Sequence, residues 1–100
     1  MKMMKRVQKY TVRTSKRYRR ELKIVLSRGK DESKLKEVIK ILAAGENLPA
    51  KYADHPLAGK WKGYRECHIE PNWLLVYRIH DDILVLALMS TGTHSDIFGL

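Results

Sequence analysis

The sequence predicts an α+β fold in which an N-terminal strand and a two-helix hairpin pack on a small antiparallel β-sheet. Two observations lead to this fold class: apolar residues recur at helical spacing in the first half, and three strand-like runs separated by short turns follow a central loop. The chain has 100 residues and contains no repeat, low-complexity tract or linker. We therefore expect one domain, residues 1–100, with one modest core.

The first half of the chain carries the signals of one strand and two helices. The apolar residues within 7–12 predict a short first strand. Thr14 or Ser15 can cap a helix that runs to about Ser27, and Asp31 can cap a second helix with apolar residues at i, i+3, i+4 and i+7. Because neither helix is long enough to be stable alone, both must cover an apolar surface.

The second half predicts a loop, three strands and a polar tail. Two prolines prevent regular structure between Asn47 and Gly59. Strands are expected at three ranges joined by turns: 61–69, 73–79 and 83–89. The third run is apolar on both faces, which predicts an interior strand covered by the helices on one side. The tail, residues 91–98, is expected to bend away from the sheet.

Positive charge is concentrated at the N-terminal end of the chain. Residues 1–30 contain twelve Lys and Arg and one acid, a net charge of +11, whereas the eight bases and ten acids of residues 31–100 give −2. The overall charge of +9 and the pI of about 9.9 indicate a polyanionic partner. A basic face that only keeps the chain soluble is the alternative, but concentration in one segment favours docking on nucleic acid.

Cysteine usage and hydropathy indicate where the protein works. A lone cysteine, Cys67, excludes an internal disulfide framework and a Cys-rich zinc site, which favours a reducing compartment, and we expect a small buried residue there. No apolar stretch approaches transmembrane length, and no apolar segment follows the basic N-terminus. We therefore expect a cytoplasmic protein with no membrane partner.

Three of the four histidines are candidate catalytic residues. His55 lies in the loop, His68 near the end of the first long strand, and His94 beyond the last strand. In a meander these positions can meet on one sheet face, and histidine is the usual side chain for proton transfer near neutral pH. Ordinary surface histidines and a three-His metal site are the alternatives, the latter weakened because no close ligand pair is present. His80 lies in a predicted turn and is expected to be solvated.

Cations and aromatic residues surround these histidines in the sequence. Lys62 and Arg65 can hold a phosphate group and stabilise its extra negative charge in a transition state. Trp61 and Trp73 can stack on unpaired bases, although a place in the core or at its edge is the more common fate of such residues. No P-loop or dinucleotide-binding glycine pattern is present.

Three segments resemble the YafQ subgroup of the RelE/ParE superfamily of bacterial toxins. They are Asp54-His55-Pro56-Leu57 (DHPL), the WKGYR-x-x-H-x-EP stretch within 59–77, and the closing TG-x-H segment of 91–98. The resemblance covers roughly residues 16–98 in matching order and spacing. It implies a RelE-like fold and a ribosome-dependent mRNA endonuclease, without a cofactor, that is the toxin of a type II toxin–antitoxin pair.

The resemblance also implies roles for individual residues. The family's active-site histidines fall on His55, His68 and His94, and its C-terminal aromatic falls on Phe98, which would position the substrate base. Its carboxylate, usually Asp, falls on Asn72, which can form hydrogen bonds but cannot act as a base. Many relatives also carry Arg where this chain has Ser90. These departures keep open a weakened toxin, or a non-enzymatic one that only binds the ribosome or gyrase.

The expected reaction is metal-independent cleavage through the RNA 2′-hydroxyl. His55 or His68 takes its proton, His94 or its neighbour protonates the leaving 5′-oxygen, and Lys62 and Arg65 support the phosphate. The expected partners are an acidic antitoxin that folds over the toxin, the ribosomal A site with its mRNA, and operator DNA only through the antitoxin. Docking on rRNA phosphates is assigned to four basic residues of the first helix: Lys16, Arg17, Arg20 and Lys23.

Overall fold

The computed structural model describes residues 7–99, which form one five-stranded sheet with three α-helices. The elements are β1 (Thr11–Thr14), α1 (Lys16–Ser27), α2 (Glu32–Ala43), β2 (His55–Pro56), β3 (Arg65–Glu70), β4 (Trp73–His80), β5 (Val85–Gly92) and α3 (His94–Phe98). Single 3₁₀ turns at Ala50–Tyr52 and Gly59–Trp61 lie on either side of β2. The predicted α+β fold class is confirmed.

The sheet has the strand order β1-β5-β4-β3-β2. Strands β3, β4 and β5 form the predicted antiparallel meander, and β5 lies in the interior, between β1 and β4. The sheet is nevertheless mixed, since β1 pairs with β5 in parallel, with Thr11 opposite Val85. A parallel pair needs a long crossover connection, and most of the chain, including both long helices, separates these two strands.

Both long helices begin at the expected side-chain caps. Ser15, rather than Thr14, caps α1, because its Oγ accepts a hydrogen bond of 2.9 Å from the backbone N–H of Tyr18. Asp31 caps α2 by accepting from the N–H of Ser33. Each cap satisfies a backbone donor that the helix itself leaves unpaired.

The two helices share one core with one face of the sheet. Tyr18 and Val25 of α1 and Leu35 and Val38 of α2 are buried there. They pack with side chains of the three central strands: Cys67, Ile69, Trp73, Leu75, Tyr77, Leu86 and Leu88. Each fully buried aliphatic side chain contributes roughly 1.5–3 kcal/mol relative to an exposed one, which supplies the stability that these short helices lack alone.

The core confirms two expectations about individual residues. Trp73 is 1% exposed, and its indole N–H donates to Thr91 Oγ1 at 3.0 Å. It therefore belongs to the core, and the alternative that it stacks on a base is wrong. Cys67 is fully buried, and this burial raises the pKa of its thiol. No helix within residues 7–99 has both the length and the apolar character that spanning a membrane requires.

Several strand boundaries differ from the sequence-based ones because tight turns interrupt the apolar runs. The strand expected from Trp61 begins at Arg65, since a 3₁₀ turn followed by Gly63 at φ 94° redirects the chain first. The last strand begins at Val85, because Leu84 adopts a left-handed φ of 51° in the preceding turn. His80, which was expected in the turn, is instead the last residue of β4.

The loop and the tail are more ordered than the sequence predicted. The loop contains β2, a two-residue edge strand that tolerates Pro56 because an edge position needs no N–H for the sheet. The tail forms the short helix α3, in which Thr93 and Asp96 make a reciprocal capping box and Gly99 ends the helix at φ 70°. Five residues are too few for a helical period to be visible in the sequence.

Candidate active site

Three histidines surround the carboxylate of Glu66. Its Oε1 lies 3.5 Å from Nε2 of His55, 3.5 Å from Nε2 of His68 and 3.6 Å from Nε2 of His94. The ring centroids of His55 and His68 are 6.4 Å apart, and those of His68 and His94 are 6.0 Å apart. The structure therefore brings the three predicted histidines together around one carboxylate, and we call these four side chains the His–Glu cluster.

Three different parts of the fold deliver these side chains. His55 begins the edge strand β2 and lies opposite Glu66 of β3 in the ladder. Glu66 and His68 are two residues apart in β3 and therefore point to the same face of the sheet. His94 is the first residue of α3 and is separated from the end of β5 only by the helix cap Thr93. The cluster is thus assembled where the edge of the sheet meets the C-terminal helix.

Glu66 is 3% exposed, whereas the three rings remain accessible. The side chains of His55, His68 and His94 are 48%, 25% and 51% exposed. A buried carboxylate requires polar partners, and here the three ring nitrogens provide them. Sequence reasoning did not choose Glu66 as a site residue. Its two-residue spacing from His68 on a strand was the signal that identifies it.

The ring of His55 has a defined orientation. Its Nδ1 lies 2.8 Å from the carbonyl oxygen of Ala53. Because a carbonyl oxygen only accepts hydrogen bonds, Nδ1 carries the hydrogen and Nε2 is the nitrogen that faces Glu66. Nε2 is then the atom of His55 that can exchange a proton at the site.

Asp54, the neighbour of His55, is bound by two side chains from the sheet. Arg65 donates to it from Nη2 at 3.1 Å and from Nε at 3.3 Å, and the Tyr77 hydroxyl donates to its Oδ1 at 2.5 Å. Burial, followed by the bond to Asp54, raises the pKa of Tyr77, and the same carboxylate raises the pKa of Arg65. The guanidinium of Arg65, predicted to bind substrate phosphate, is thus already paired with a carboxylate.

Phe98 lies beside the His–Glu cluster and is supported by Trp61. The ring centroids of His94 and Phe98 are 5.9 Å apart, and those of Phe98 and Trp61 are 5.5 Å apart in an edge-on arrangement. Trp61 also contacts Tyr64 edge-on at 5.6 Å and is half-buried at the margin of the core. These ring contacts favour a supporting role for Trp61. Phe98 is the aromatic side chain next to the histidines.

Helix α1 holds α3, and with it His94 and Phe98, in place. Arg17 donates from Nη2 to the carbonyl oxygen of Ile97 at 2.7 Å, and its guanidinium lies 5.5 Å from the centroid of the Trp61 ring. Arg28 donates to Asp96 at 2.6 Å, and this bond holds the pKa of Asp96 below its usual range. Arg17, predicted as a docking residue, therefore has an internal structural role.

The last residue of β5 must be glycine. Gly92 has a φ of 146°, and a Cβ at this position would lie 2.8 Å from Oδ2 of Asp96, the carboxylate of the capping box. Any side chain here would displace the start of the helix that carries His94.

The remaining predicted residues lie at the surface or in other contacts. Lys62 is exposed after the second 3₁₀ turn, and three of the predicted docking residues are exposed on α1: Lys16, Arg20 and Lys23. Asn72 is exposed in the β3–β4 turn, where it lines a small cavity with Arg28 and Gly92. Ser90 is buried and donates to Glu21 Oε1 at 2.5 Å, which explains how this position is satisfied without arginine.

The His–Glu cluster is not spaced like a metal centre. Within residues 7–99, no group of three or more His, Cys, Asp or Glu side chains has an arrangement that could hold a metal ion. The three Nε2 atoms instead lie 3.5–3.6 Å from Oε1 of Glu66, which is an ion-pair distance for a ring that is protonated.

Comparisons with known proteins give consistent similarities over most of the chain. Residues 10–99 match the family model described as the bacterial toxin of type II toxin–antitoxin systems, YafQ. The mRNA interferase toxin YafQ of Escherichia coli (strain K12) is 44% identical over 86 residues, which cover 85% of this chain and 91% of that protein.

Solved structures show the same likeness in three dimensions. The toxin chain in the crystal structure of the E. coli DinJ–YafQ toxin–antitoxin complex superposes with a TM-score of 0.83 at 41% identity, covering 91% of this chain and 99% of that one. The crystal structure of a metal-bound toxin from Helicobacter pylori superposes with a TM-score of 0.84 at 43% identity, covering 89% and 99%.

Proposed function

Because the chain belongs to the YafQ family of toxins from bacterial type II toxin–antitoxin systems, it is an mRNA interferase toxin, and we propose that its His–Glu cluster cleaves mRNA on the ribosome. One observation carries this mechanism: three imidazole Nε2 atoms lie within 3.6 Å of one oxygen of a buried carboxylate. Such a cluster can both accept and supply protons at a single reacting phosphate. We further propose that the whole chain acts as one toxin domain.

The chemistry we propose begins at the ribose 2′-hydroxyl. His55 or His68 accepts its proton, the 2′-oxygen attacks the adjacent phosphorus, and the bond from phosphorus to the 5′-oxygen breaks. His94 protonates that 5′-oxygen, which leaves a 2′,3′-cyclic phosphate on the upstream fragment. Glu66 lies between the rings, so it can orient all three and stabilise whichever is protonated. Phe98 stacks on a substrate base next to His94.

Phosphate binding is assigned chiefly to Lys62, which is exposed directly after Trp61 and is free of the ion pairing that engages Arg65. Asn72 stays a proposed contributor of hydrogen bonds only, because an amide cannot take a proton as a base. Glu66 supplies the carboxylate that Asn72 lacks. The toxin from H. pylori is described as metal-bound, whereas the proposed steps use only side chains of this chain.

The E. coli relative forms a complex with the antitoxin DinJ, and this chain has a cognate antitoxin as its partner. We propose that the antitoxin is acidic, folds over the basic surface of α1 and provides the only link to operator DNA. The ribosomal A site and its mRNA are the proposed targets, so we place the protein in the cytoplasm.

The activity is tested by primer extension on a message translated by purified ribosomes. We expect discrete breaks that appear only when the message is being translated, with cyclic phosphate at the upstream ends. Ribosomes that stall on a message that stays intact would instead identify a toxin that blocks the ribosome without cutting. Inhibition of gyrase with no effect on translation would identify the other binding-only alternative.

Charge reversal on α1 tests the proposed docking on rRNA. The double variant Arg20→Glu, Lys23→Glu is expected to bind ribosomes more weakly and with a shallower salt dependence, because each lost phosphate contact reduces the slope of log K against log salt by about 0.7–0.9. Binding is measured at several salt concentrations. Arg17 is left unchanged because its contacts hold α3.

The control for this experiment is Lys36→Glu, Lys40→Glu, which changes the net charge equally at exposed positions of α2. If both double variants lose the same affinity and slope, the effect is one of net charge and the assigned docking surface is wrong.

A further inference from the structure

We infer that Asp54, Arg65 and Tyr77 position His55 for the reaction, by fixing the chain segment that orients its ring. This inference rests on the proposed function and assigns these three residues a role apart from substrate contact. None of them touches the His–Glu cluster directly through its side chain in the contacts described above. They act instead through the backbone of Ala53 and Asp54, directly before His55.

Asp54 is the link between the sheet and His55. Its Oδ1 accepts from the Tyr77 hydroxyl at 2.5 Å, and its Oδ2 accepts from Arg65 Nη2 at 3.1 Å and Nε at 3.3 Å. Hydrogen bonds to an ionised group are shorter and stronger than those between neutral groups. Both carboxylate oxygens of Asp54 are therefore held by donors of defined position.

The two donors are themselves fixed by the sheet. Arg65 of β3 and Tyr77 of β4 lie directly opposite each other in the antiparallel ladder. Tyr77 is 1% exposed and its ring is packed in the core. A buried side chain in close packing has little freedom to move, so the Tyr77 hydroxyl holds Asp54 at a defined position relative to the sheet.

The backbone before Asp54 carries this position to His55. Ala53 adopts a left-handed conformation at φ 48°, which a residue with a Cβ rarely takes. Its carbonyl oxygen accepts the hydrogen bond from His55 Nδ1. A strained conformation of this kind persists where the surroundings over-determine it, and here Asp54 is anchored on one side and β2 pairs with β3 on the other.

The consequence for the reaction is a defined proton-exchanging atom. While the Ala53 carbonyl is held in place, His55 keeps its hydrogen on Nδ1 and presents Nε2 to Glu66. If Asp54 were released, the carbonyl could turn away and the ring would lose both its orientation and its fixed tautomer. Removing a partner that orients a functional histidine commonly changes activity or affinity by about 10–100-fold.

Tyr77→Phe tests the inference with the smallest structural change. We expect kcat for cleavage of translated message to fall by about 10–100-fold with little change in KM, because substrate contacts remain. In ¹⁵N spectra of the histidine rings, the Nδ1 and Nε2 signals of His55 should move toward each other as the fixed tautomer is lost, while those of His68 and His94 stay in place. Asp54→Asn should reproduce both effects.

Tyr10→Phe is a matched control. Tyr10 lies in the same core, and its hydroxyl donates to Oδ1 of Asp81 at the same distance of 2.5 Å, in a different part of the fold. We expect this variant to keep the parental kcat and an unchanged His55 spectrum. Equal losses of kcat in Tyr10→Phe and Tyr77→Phe would assign the effect to stability and overturn the inference.

Two further results would also overturn it. An increase in KM with unchanged kcat in Arg65→Lys would make Arg65 a substrate-binding residue instead of a positioning one. Unchanged His55 signals in both Tyr77→Phe and Asp54→Asn would show that the segment does not orient the ring. Because the spectra need neither ribosome nor RNA, they test positioning even if the parental protein fails to cleave mRNA.

Discussion

Replacing Glu66 by Gln is expected to reduce mRNA cleavage by about 10²–10⁴-fold while leaving the fold intact, which is the range typical of losing a group that assists proton transfer. Gln has nearly the size of Glu, so it fills the same buried space. It carries no charge, however, and cannot stabilise a protonated ring or accept a proton between the three Nε2 atoms. The rate is measured under single-turnover conditions with ribosome-bound message, and the fold by thermal unfolding.

Glu70→Gln provides the control for this variant. Glu70 lies in the same strand, but its carboxylate is paired with Lys30 and Lys34 and not with a histidine. These contacts lower the pKa of Glu70 to about 2. Parental activity in Glu66→Gln, or an equal loss in both variants, would contradict the central place of Glu66.

Single replacements of His55, His68 and His94 by Ala should each reduce the cleavage rate by about 10²–10⁴-fold. The three rings are 25–51% exposed, so their removal opens no cavity in the core and folding should be retained. The pH–rate profile separates their roles. Loss of the general base removes the acidic limb of the profile, and loss of the general acid removes the alkaline limb.

His80→Ala is the matched control for the histidine series. His80 ends β4 next to the β4–β5 turn and is absent from the contacts that surround Glu66. This variant should cleave at the parental rate with the parental pH profile. If all three cluster variants also cleave translated message at the parental rate, the assignment of the active site is wrong.

Part of the site could be anticipated because the approach of two of its side chains depends on topology alone. A meander brings the end of β3 and the chain beyond β5 to the same region, so the approach of His68 and His94 follows from the strand order. Glu66 was not chosen because a single acid in a strand is common, and its burial depends on rings that come from β2 and α3. Arg17 and Arg65 were assigned outward roles for the same reason, since their partners, Ile97 and Asp54, lie far away in the sequence or in a loop.

The sequence by itself determined where the two long helices begin and which of their faces are buried. Ser15 and Asp31 begin the two long helices, apolar periodicity selects the faces that are buried, and the DHPL, WKGYR and TG-x-H segments identify the family. These features depend on residues a few positions apart, where backbone geometry and side-chain caps act directly. The chemistry of the histidines was likewise evident from their residue type.

Only the tertiary structure decided which groups meet. The parallel pairing of β1 with β5, the capture of Arg17 by α3 and the convergence of three rings on Glu66 all join residues that are distant along the chain. Such contacts leave no periodic or local signal, because they are fixed by the packing of whole elements against one another. The sequence supplied the histidines, and the packing of β2, β3 and α3 around one buried carboxylate made them a site.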